Sequence, residues 1–333
     1  MVTANAAARL IQHYVDNFRQ LPWRAPPGTP PADPYRVWLS EIMLQQTTVA
    51  TVTPRFERFI ERWPTVEALA AAKGEDVLQE WAGLGYYARA RNLIACAREV
   101  AKLRAFPTTS AELRKLPGIG SYTAAAIAAI AFGEVAAAID TNVERVMARL
   151  HGRARPVKGD IAREFIDMMH GNKAGDLVQA TMDLGATICR PRAPRCHACP
   201  LRADCAAYAS GAPEQFPAPR QRRVRPHKHG IAWWIERDGK VWLVRRPAKG
   251  MLGGMAALPG DEWSDLPKDV PNAMGIVRHV FTHFSLDLYL VHASEPVGEG
   301  WWQPLHLLDR AGLPTLYRKA ATIALGTQFR RAA

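Results

Sequence analysis

An all-α domain followed by a smaller α+β domain is the architecture that the sequence predicts, on three observations. Between residues 36 and 188, apolar side chains recur every three or four positions. Past residue 229 the texture changes to short runs rich in β-branched and aromatic residues. Between the two, Pro213, Pro217, Pro219 and Pro226 punctuate a basic stretch poor in apolar side chains, which reads as a linker. The 333 residues suit two domains of ordinary size. The expected boundaries are 1–211, 212–228 and 229–333.

The periodicity predicts helices over 36–50, 66–73, 88–104, 121–132, 142–151, 160–170 and 174–188, with Ala, Leu, Glu and Arg filling the other positions. Pro22, Pro64, Pro107, Pro117 and Pro156 fall between these segments, where helices stop. In the second domain, 231–235 and 241–244 read as strands, with a hairpin turn over 237–240. Residues 284–291 (FSLDLYLV) alternate as a strand should, and 316–325 read as a helix.

Hydrophobic residues make up 48% of the chain and charged residues 22%, which excludes a wholly disordered or collagen-like protein. Lys and Arg number 43 against 31 Asp and Glu, a net charge of +12 that favours an anionic partner, nucleic acid first. The charge is densest at Arg220, Arg222, Arg223, Arg225 and Lys228, a run with no acid. Two readings of that run stand: a solvated linker, or one that lies along a phosphate backbone. The most apolar stretch, 123–139, is broken by Gly133 and Glu134, short of the ~20 residues of a membrane span. The N-terminus has no basic segment leading into an apolar one, so a reducing, cytoplasmic setting is expected. Cysteines there are more often ligands or catalysts than disulfide partners.

Cys189, Cys196, Cys199 and Cys205 have the spacing C-x6-C-x2-C-x5-C. A loop this short can wrap one tetrathiolate centre, and thiolates suit an iron–sulfur cluster or zinc. Structural zinc sites commonly use two CxxC pairs, and here there is one. Arg190, Arg192, Arg195 and Arg202 surround the loop; they read equally as phosphate contacts or as a balance for the charge of the centre. Cys96, among Leu93, Ile94 and Ala97 on a predicted helix, is expected to be buried and inert.

Leu116-Pro-Gly-Ile-Gly120 joins two predicted helices. Gly118 and Gly120 allow positive backbone torsions and close approach. Their N–H groups, next to a helix N-terminus, form a sequence-independent anion site. An Ala-rich helix and then Asp140 follow. With the segments WLSEIMLQQTTVATV (38–52), GLGYYARARNL (83–93), IDTNVERVMAR (139–149) and QATMDLGATICRPRAPRCHACP (179–200), the chain resembles the endonuclease III superfamily of base-excision DNA glycosylases. Within it, the MutY family of adenine DNA glycosylases is the nearer resemblance, and it extends over essentially the whole chain. The resemblance implies a helix–hairpin–helix glycosylase domain, a six-helix barrel with an iron–sulfur module, followed by a Nudix-like domain. It implies a 4Fe-4S cluster on the four cysteines. The implied partner is double-stranded DNA holding adenine opposite 8-oxoguanine or guanine, bound by a monomer with no obligate protein partner.

Releasing adenine requires a proton for the leaving base and negative charge beside an oxocarbenium-like sugar, a task for two carboxyl groups in unlike environments. Glu41 lies among Trp38, Leu39, Ile42 and Leu44. It reads either as a partly buried acid with a raised pKa or as an exposed helix charge. Asp140 stands where a helix N-cap is expected, which keeps a carboxylate ionised and by itself needs no catalytic role. The resemblance makes Glu41 the proton donor to adenine N7, and Asp140 the group that stabilises or transiently bonds C1′. Bifunctional relatives carry a lysine two residues after the second hairpin glycine. Here that residue is Tyr122, which cannot form an imine, so a monofunctional enzyme leaving an abasic site is expected. Tyr122 would support the sugar or Asp140, and Asn142 would orient Asp140. Lys115 and Lys102 stand off the matching position.

Flipping a base out of the duplex costs a few kcal/mol, and something must fill the gap. Gln45 and Tyr86 match the family's intercalating residues, with Gln46, Thr47 and Leu84 beside them. Arg19, Trp23 and Asp183 resemble the adenine pocket, a stacking ring with donor and acceptor groups; the family often has Glu at the position of Asp183. Phe281, Thr282 and His283 match a Phe-Ser-His loop that probes 8-oxoguanine, Thr keeping the hydroxyl. After Gly260 come Asp261, Glu262, Asp265 and Asp269 without the glutamate run of a Nudix hydrolase, so pyrophosphate hydrolysis is not expected.

Overall fold

The computed structural model describes residues 4–170, 173–219, 225–247 and 250–326. The chain divides into two compact units. The first comprises residues 1–72 and 91–221; the second takes in 73–90 with 222–333.

The first unit is helical. Its elements are α1 (Ala4–Asp16), α2 (Pro34–Met43), α3 (Val49–Arg62) and α4 (Val66–Ala71). After α5 (Gly74–Glu80), which clusters with the second unit, come α6 (Tyr87–Leu103), α7 (Ser110–Leu113), α8 (Ser121–Phe132) and α9 (Thr141–Leu150). Then follow α10 (Lys158–Met169), α11 (Ala174–Thr187) and α12 (Ala206–Ala209). The Ala-rich α8 is buried against α2, α7 and α11. Gly175 lets α11 lie on α8, where a Cβ would meet the Ala129 carbonyl oxygen at 2.7 Å.

The helix expected over 36–50 stops short at Met43, and α3 starts only at its last two residues. α2 ends at Met43, Gln46 takes a positive φ of 57°, and Thr48 caps α3 by accepting from Thr51 N–H. The first helix, α1, most of α3, and the short α5, α7 and α12 were not anticipated. The first half of the expected linker is also not extended: Ala218 N–H donates to the Ala154 carbonyl at 2.7 Å, and a short 3-10 turn spans Pro213–Gln215. Arg220, Arg222 and Arg223 lie outside the described residues.

In the second unit, one sheet has the order β1-β6-β5. Here β1 (His227–Trp234) runs parallel to β6 (Ser285–His292), and β5 (Gly275–Val280) runs antiparallel to β6. A second sheet holds β2 (Glu236–Arg237), β3 (Lys240–Arg245), β4 (Ala256–Ala257) and β7 (Gly300–Pro304). The turn expected over 237–240 forms at Asp238 and Gly239, both at positive φ. It joins only β2 to β3, because the chain leaves the first sheet after Trp234. The core lies between the sheets and α13 (Thr315–Leu325), with Trp234, Leu243, Leu286, Leu288, Leu316 and Ala320 among its buried members. All-α followed by α+β is thus the observed fold class.

Candidate active site

A cavity of about 690 Å³ opens in the helical unit between α2, α8, α9 and α11. It brings together Arg19, Trp23, Glu41, Gln45, Gln46, Thr47, Tyr122, Asp140, Asn142 and Asp183, residues drawn from five separate stretches of chain. Glu41 sits on the buried face of α2, 8% exposed. Burial pushes its carboxyl up to about 7; the hydrogen bond from Tyr122 opposes this, the Asp140 charge adds to it and Arg24 lowers it. Burial, followed by the charges of Glu41 and Asp140, holds the Tyr122 phenol well above its ordinary range, so it stays a donor.

Asp140 caps α9. Its Oδ1 accepts from Val143 N–H at 2.7 Å, and Asn142 Nδ2 donates to its Oδ2 at 3.0 Å. The two carboxyls therefore sit in unlike environments: one is desolvated, the other is held by N–H donors at a helix start. Asn142 is itself held. Arg145 Nη2 donates to Asn142 Oδ1 at 2.8 Å and to the Gly185 carbonyl at 2.9 Å, and its Nε donates to the Cys189 carbonyl at 2.8 Å. The approach needs Gly185, where a Cβ would stand 2.7 Å from Asn142 Cβ.

Arg19 and Asp183, expected to offer a donor and an acceptor, face each other instead. Arg19 Nη1 donates to Asp183 Oδ1 at 2.9 Å, and Arg24 holds both oxygens at 2.5 and 3.0 Å. Asp183 is thus an anchor for two guanidiniums rather than a free acceptor. Trp23 lines the cavity and packs edge-on to Phe56, with ring centroids 5.2 Å apart. Gln45 Nε2 reaches Thr123 Oγ1 at 3.4 Å, and Thr47 Oγ1 donates to the Gln45 carbonyl.

The hairpin closes with Ile119 N–H on the Leu116 carbonyl, and both side chains are buried. Gly118 takes φ +75°, and a Cβ there would meet Asn92 Cβ at 2.6 Å. Gly120 begins α8 with no side-chain cap and open space around it, so the first N–H groups of α8 lack a capping side chain.

Cys189, Cys199 and Cys205 pack against the helical core, and Cys196, like them, is half-buried. Burial first, and then mutual charge, raises the thiols of Cys196, Cys199 and Cys205, that of Cys199 to about 12. Such a set calls for a cation to ionise it. A single tetrahedral zinc with bonds of about 2.3 Å would draw the sulfurs to about 3.8 Å from one another. Among the described residues, the side chains with donors converging within 4.8 Å do not include these cysteines. Four thiolates in one loop suit a thiolate-bound cluster or zinc. The arginine at the sulfurs comes from α9, not from the loop. Arg149, 2% exposed, donates to Cys189 Sγ at 3.3 Å and to the Arg190, Pro191 and Phe216 carbonyls. Arg190 and Arg195 bond backbone carbonyls, and Arg202 lies over the Tyr208 ring. Cys96 is fully buried, and burial raises its thiol to about 12.

In the second unit, Tyr86 is exposed at φ +48° and its hydroxyl is hydrogen-bonded to Thr282 Oγ1. Thr282 and His283 are exposed between β5 and β6. Phe281 turns inward and stacks on Trp263, with centroids 5.6 Å apart. Leu84, expected beside the intercalating residues, is 4% exposed, so the turn presents Tyr86 and hides Leu84. Of the acids after Gly260, Asp261 accepts from Ile231 N–H and pairs with Lys268, while Asp265 pairs with Lys228.

Arg24, Arg145 and Arg149 were missed by sequence reasoning. For the last two a signal existed: they stand four apart among Val143, Val146, Met147 and Leu150, on a face too apolar for solvated charges.

Residues 39–168 match the family of HhH-GPD superfamily base excision DNA repair proteins, and 230–322 match the NUDIX domain. The chain is 33% identical to the adenine DNA glycosylase of Rattus norvegicus, across 83% of this chain and 68% of that one. It is 30% identical to the adenine DNA glycosylase of Buchnera aphidicola, across 93% and 96%. A solved thermostable thymine-DNA glycosylase superposes on 61% of this chain and 95% of its own, with TM-score 0.55 and 27% identity. On these matches and on the fold, the chain belongs to the adenine DNA glycosylase family.

Proposed function

We propose that the chain is a monofunctional adenine DNA glycosylase of base excision repair, hydrolysing the N-glycosidic bond of adenine opposite 8-oxoguanine or guanine. The observation that carries this reading is the pairing, in one cavity, of a carboxyl raised to about 7 with a second carboxyl capped by N–H donors. Glu41 gives its proton to the base as the bond breaks. Asp140, held by its N–H donors, lies against the cationic sugar. Tyr122 holds Glu41 and offers no amine for an imine. Asn142 keeps Asp140 turned toward the cavity.

Residues 1–211 carry the chemistry. Trp23 stacks on the flipped adenine, Arg19 and Asp183 border it, and Gln45, Gln46, Thr47 and Tyr86 fill and flank the gap. The hairpin of Leu116, Gly118 and Gly120 takes a phosphate through backbone N–H groups. Residues 229–333 read the opposite base through Thr282 and His283, with 212–228 linking the two. Cys189, Cys196, Cys199 and Cys205 hold a 4Fe-4S cluster, which supplies charge and rigidity to the loop. Buried Arg149 donates to the Cys189 sulfur.

The test is single-turnover base release from duplexes holding adenine opposite 8-oxoguanine, guanine or thymine. Release from the first two, with strand breaks only after alkali, is expected. Direct strand cleavage would make the enzyme bifunctional, and tight binding with no release would make it a recognition module. Iron analysis checks the cluster: zinc without visible absorbance overturns it.

A further inference from the structure

The outward face of the β1–β6 pair carries a cluster that the proposed reaction does not use. His227 and His229 alternate on β1, and Asp287 lies opposite His229 on parallel β6. One donor atom from each of the three side chains lies within 4.8 Å of the others. His227 Nε2 stands 3.4 Å from Asp287 Oδ2. That is the donor–donor edge of a tetrahedral site with bonds of about 2.0–2.1 Å. The other nitrogen of His227, Nδ1, is 2.7 Å from Ser285 Oγ. When Nδ1 donates to that hydroxyl, Nε2 is left as a lone pair aimed at a carboxylate, an arrangement that a cation between them relieves. His229 packs edge-on to His227 and stacks on Tyr289, and its Nδ1 is buried with no hydrogen-bond partner.

We propose that His227, His229 and Asp287 form a transition-metal site, with zinc as the ion that fits the donor set and an open fourth position for water. Two imidazoles and one carboxylate suit zinc and its neighbours, whereas magnesium and calcium prefer oxygen ligands. The site carries one negative charge against a dication. Arg278, opposite Asp287 on β5 and exposed, opposes the ion. Bound zinc ties the first residues of β1 to β6, next to the backbone bond from Ser285 N–H to the Pro226 carbonyl. It thereby pins the start of the second unit. This inference is independent of the glycosylase reading.

Full-length protein of assayed iron content is dialysed and titrated with zinc sulfate, and its zinc is examined by X-ray absorption. The expected result is one zinc per chain with a nitrogen and oxygen shell near about 2.0–2.1 Å, and a raised Tm. Asp287→Asn and His227→Ala should weaken uptake at least about tenfold and abolish the rise in Tm, and Ser285→Ala should weaken uptake about tenfold through the lost ring orientation. Arg278→Ala should tighten it. Uptake unchanged in Asp287→Asn and His227→Ala, a sulfur shell near about 2.3 Å, or no uptake at all would overturn the proposal.

Discussion

Arg145 and Asn142 lie one turn apart on α9 and are joined by a 2.8 Å hydrogen bond from Nη2 to Oδ1. The same guanidinium holds the Cys189 carbonyl, and Asn142 holds Asp140. Three hydrogen bonds thus run from the peptide of the first cysteine to the carboxylate in the cavity. Replacing Arg145 by Gln frees Asn142 and leaves the Cys189 carbonyl unpaired. Misplacing a reacting group by about 1 Å costs on the order of a hundredfold. Arg145→Gln should therefore lower the single-turnover rate by about that factor while duplex affinity changes little. Stopped assays at saturating enzyme, beside a binding isotherm, check it.

Glu41 sets the alkaline limit of the reaction. Its carboxyl is raised to about 7, so the proton-donating form is present below that pH and lost above it. The rate should fall as pH rises through about 7. Since the Tyr122 hydrogen bond lowers this pKa, Tyr122→Phe should move the fall to higher pH. Stability follows the same sign. The folded state binds the Glu41 proton more tightly than the unfolded chain, whose pKa is near 4.5. The stability it contributes is full below 4.5 and lost as pH rises through 7, on the order of 3 kcal/mol. Glu41→Gln should abolish base release, keep duplex binding, and raise Tm at pH 8 more than at pH 5.

The hairpin glycines separate folding from binding. Gly118 has both a positive φ and a neighbour at 2.6 Å from any Cβ, whereas Gly120 has an ordinary φ and open space. Gly118→Ala should lower stability by about 1–3 kcal/mol, measured by urea unfolding. Gly120→Ala should leave stability nearly unchanged. If the uncapped N–H groups of α8 take a phosphate, it should weaken DNA binding through the crowded approach.

How much of this was legible depended on the kind of signal. The break from 116–120 into α8 is written in two glycines and an alanine run, and the loop of Cys189 to Cys205 in its spacing. The end of α2 is not, because Gln46 enters the left-handed region without being Gly or Asn. The parallel pairing of β1 with β6 joins residues 58 positions apart, and no local pattern specifies a partner so distant. Arg24 carries no local signal, because its carboxylate, Asp183, arrives from α11.

That last pair makes the final prediction. Asp183 is nearly buried between Arg24, also nearly buried, and Arg19, about one-third exposed. Removing one partner of a buried ion pair costs about 3–5 kcal/mol, since the remaining charge keeps its desolvation penalty. Arg24→Met should approach that loss. Arg19→Met should cost less than about 1 kcal/mol, because solvent still screens its side. Adding Asp183→Asn to Arg24→Met should recover part of the loss, and a double-mutant cycle by urea unfolding measures it. Additive losses would mean that Asp183 draws its stabilisation from somewhere other than Arg24.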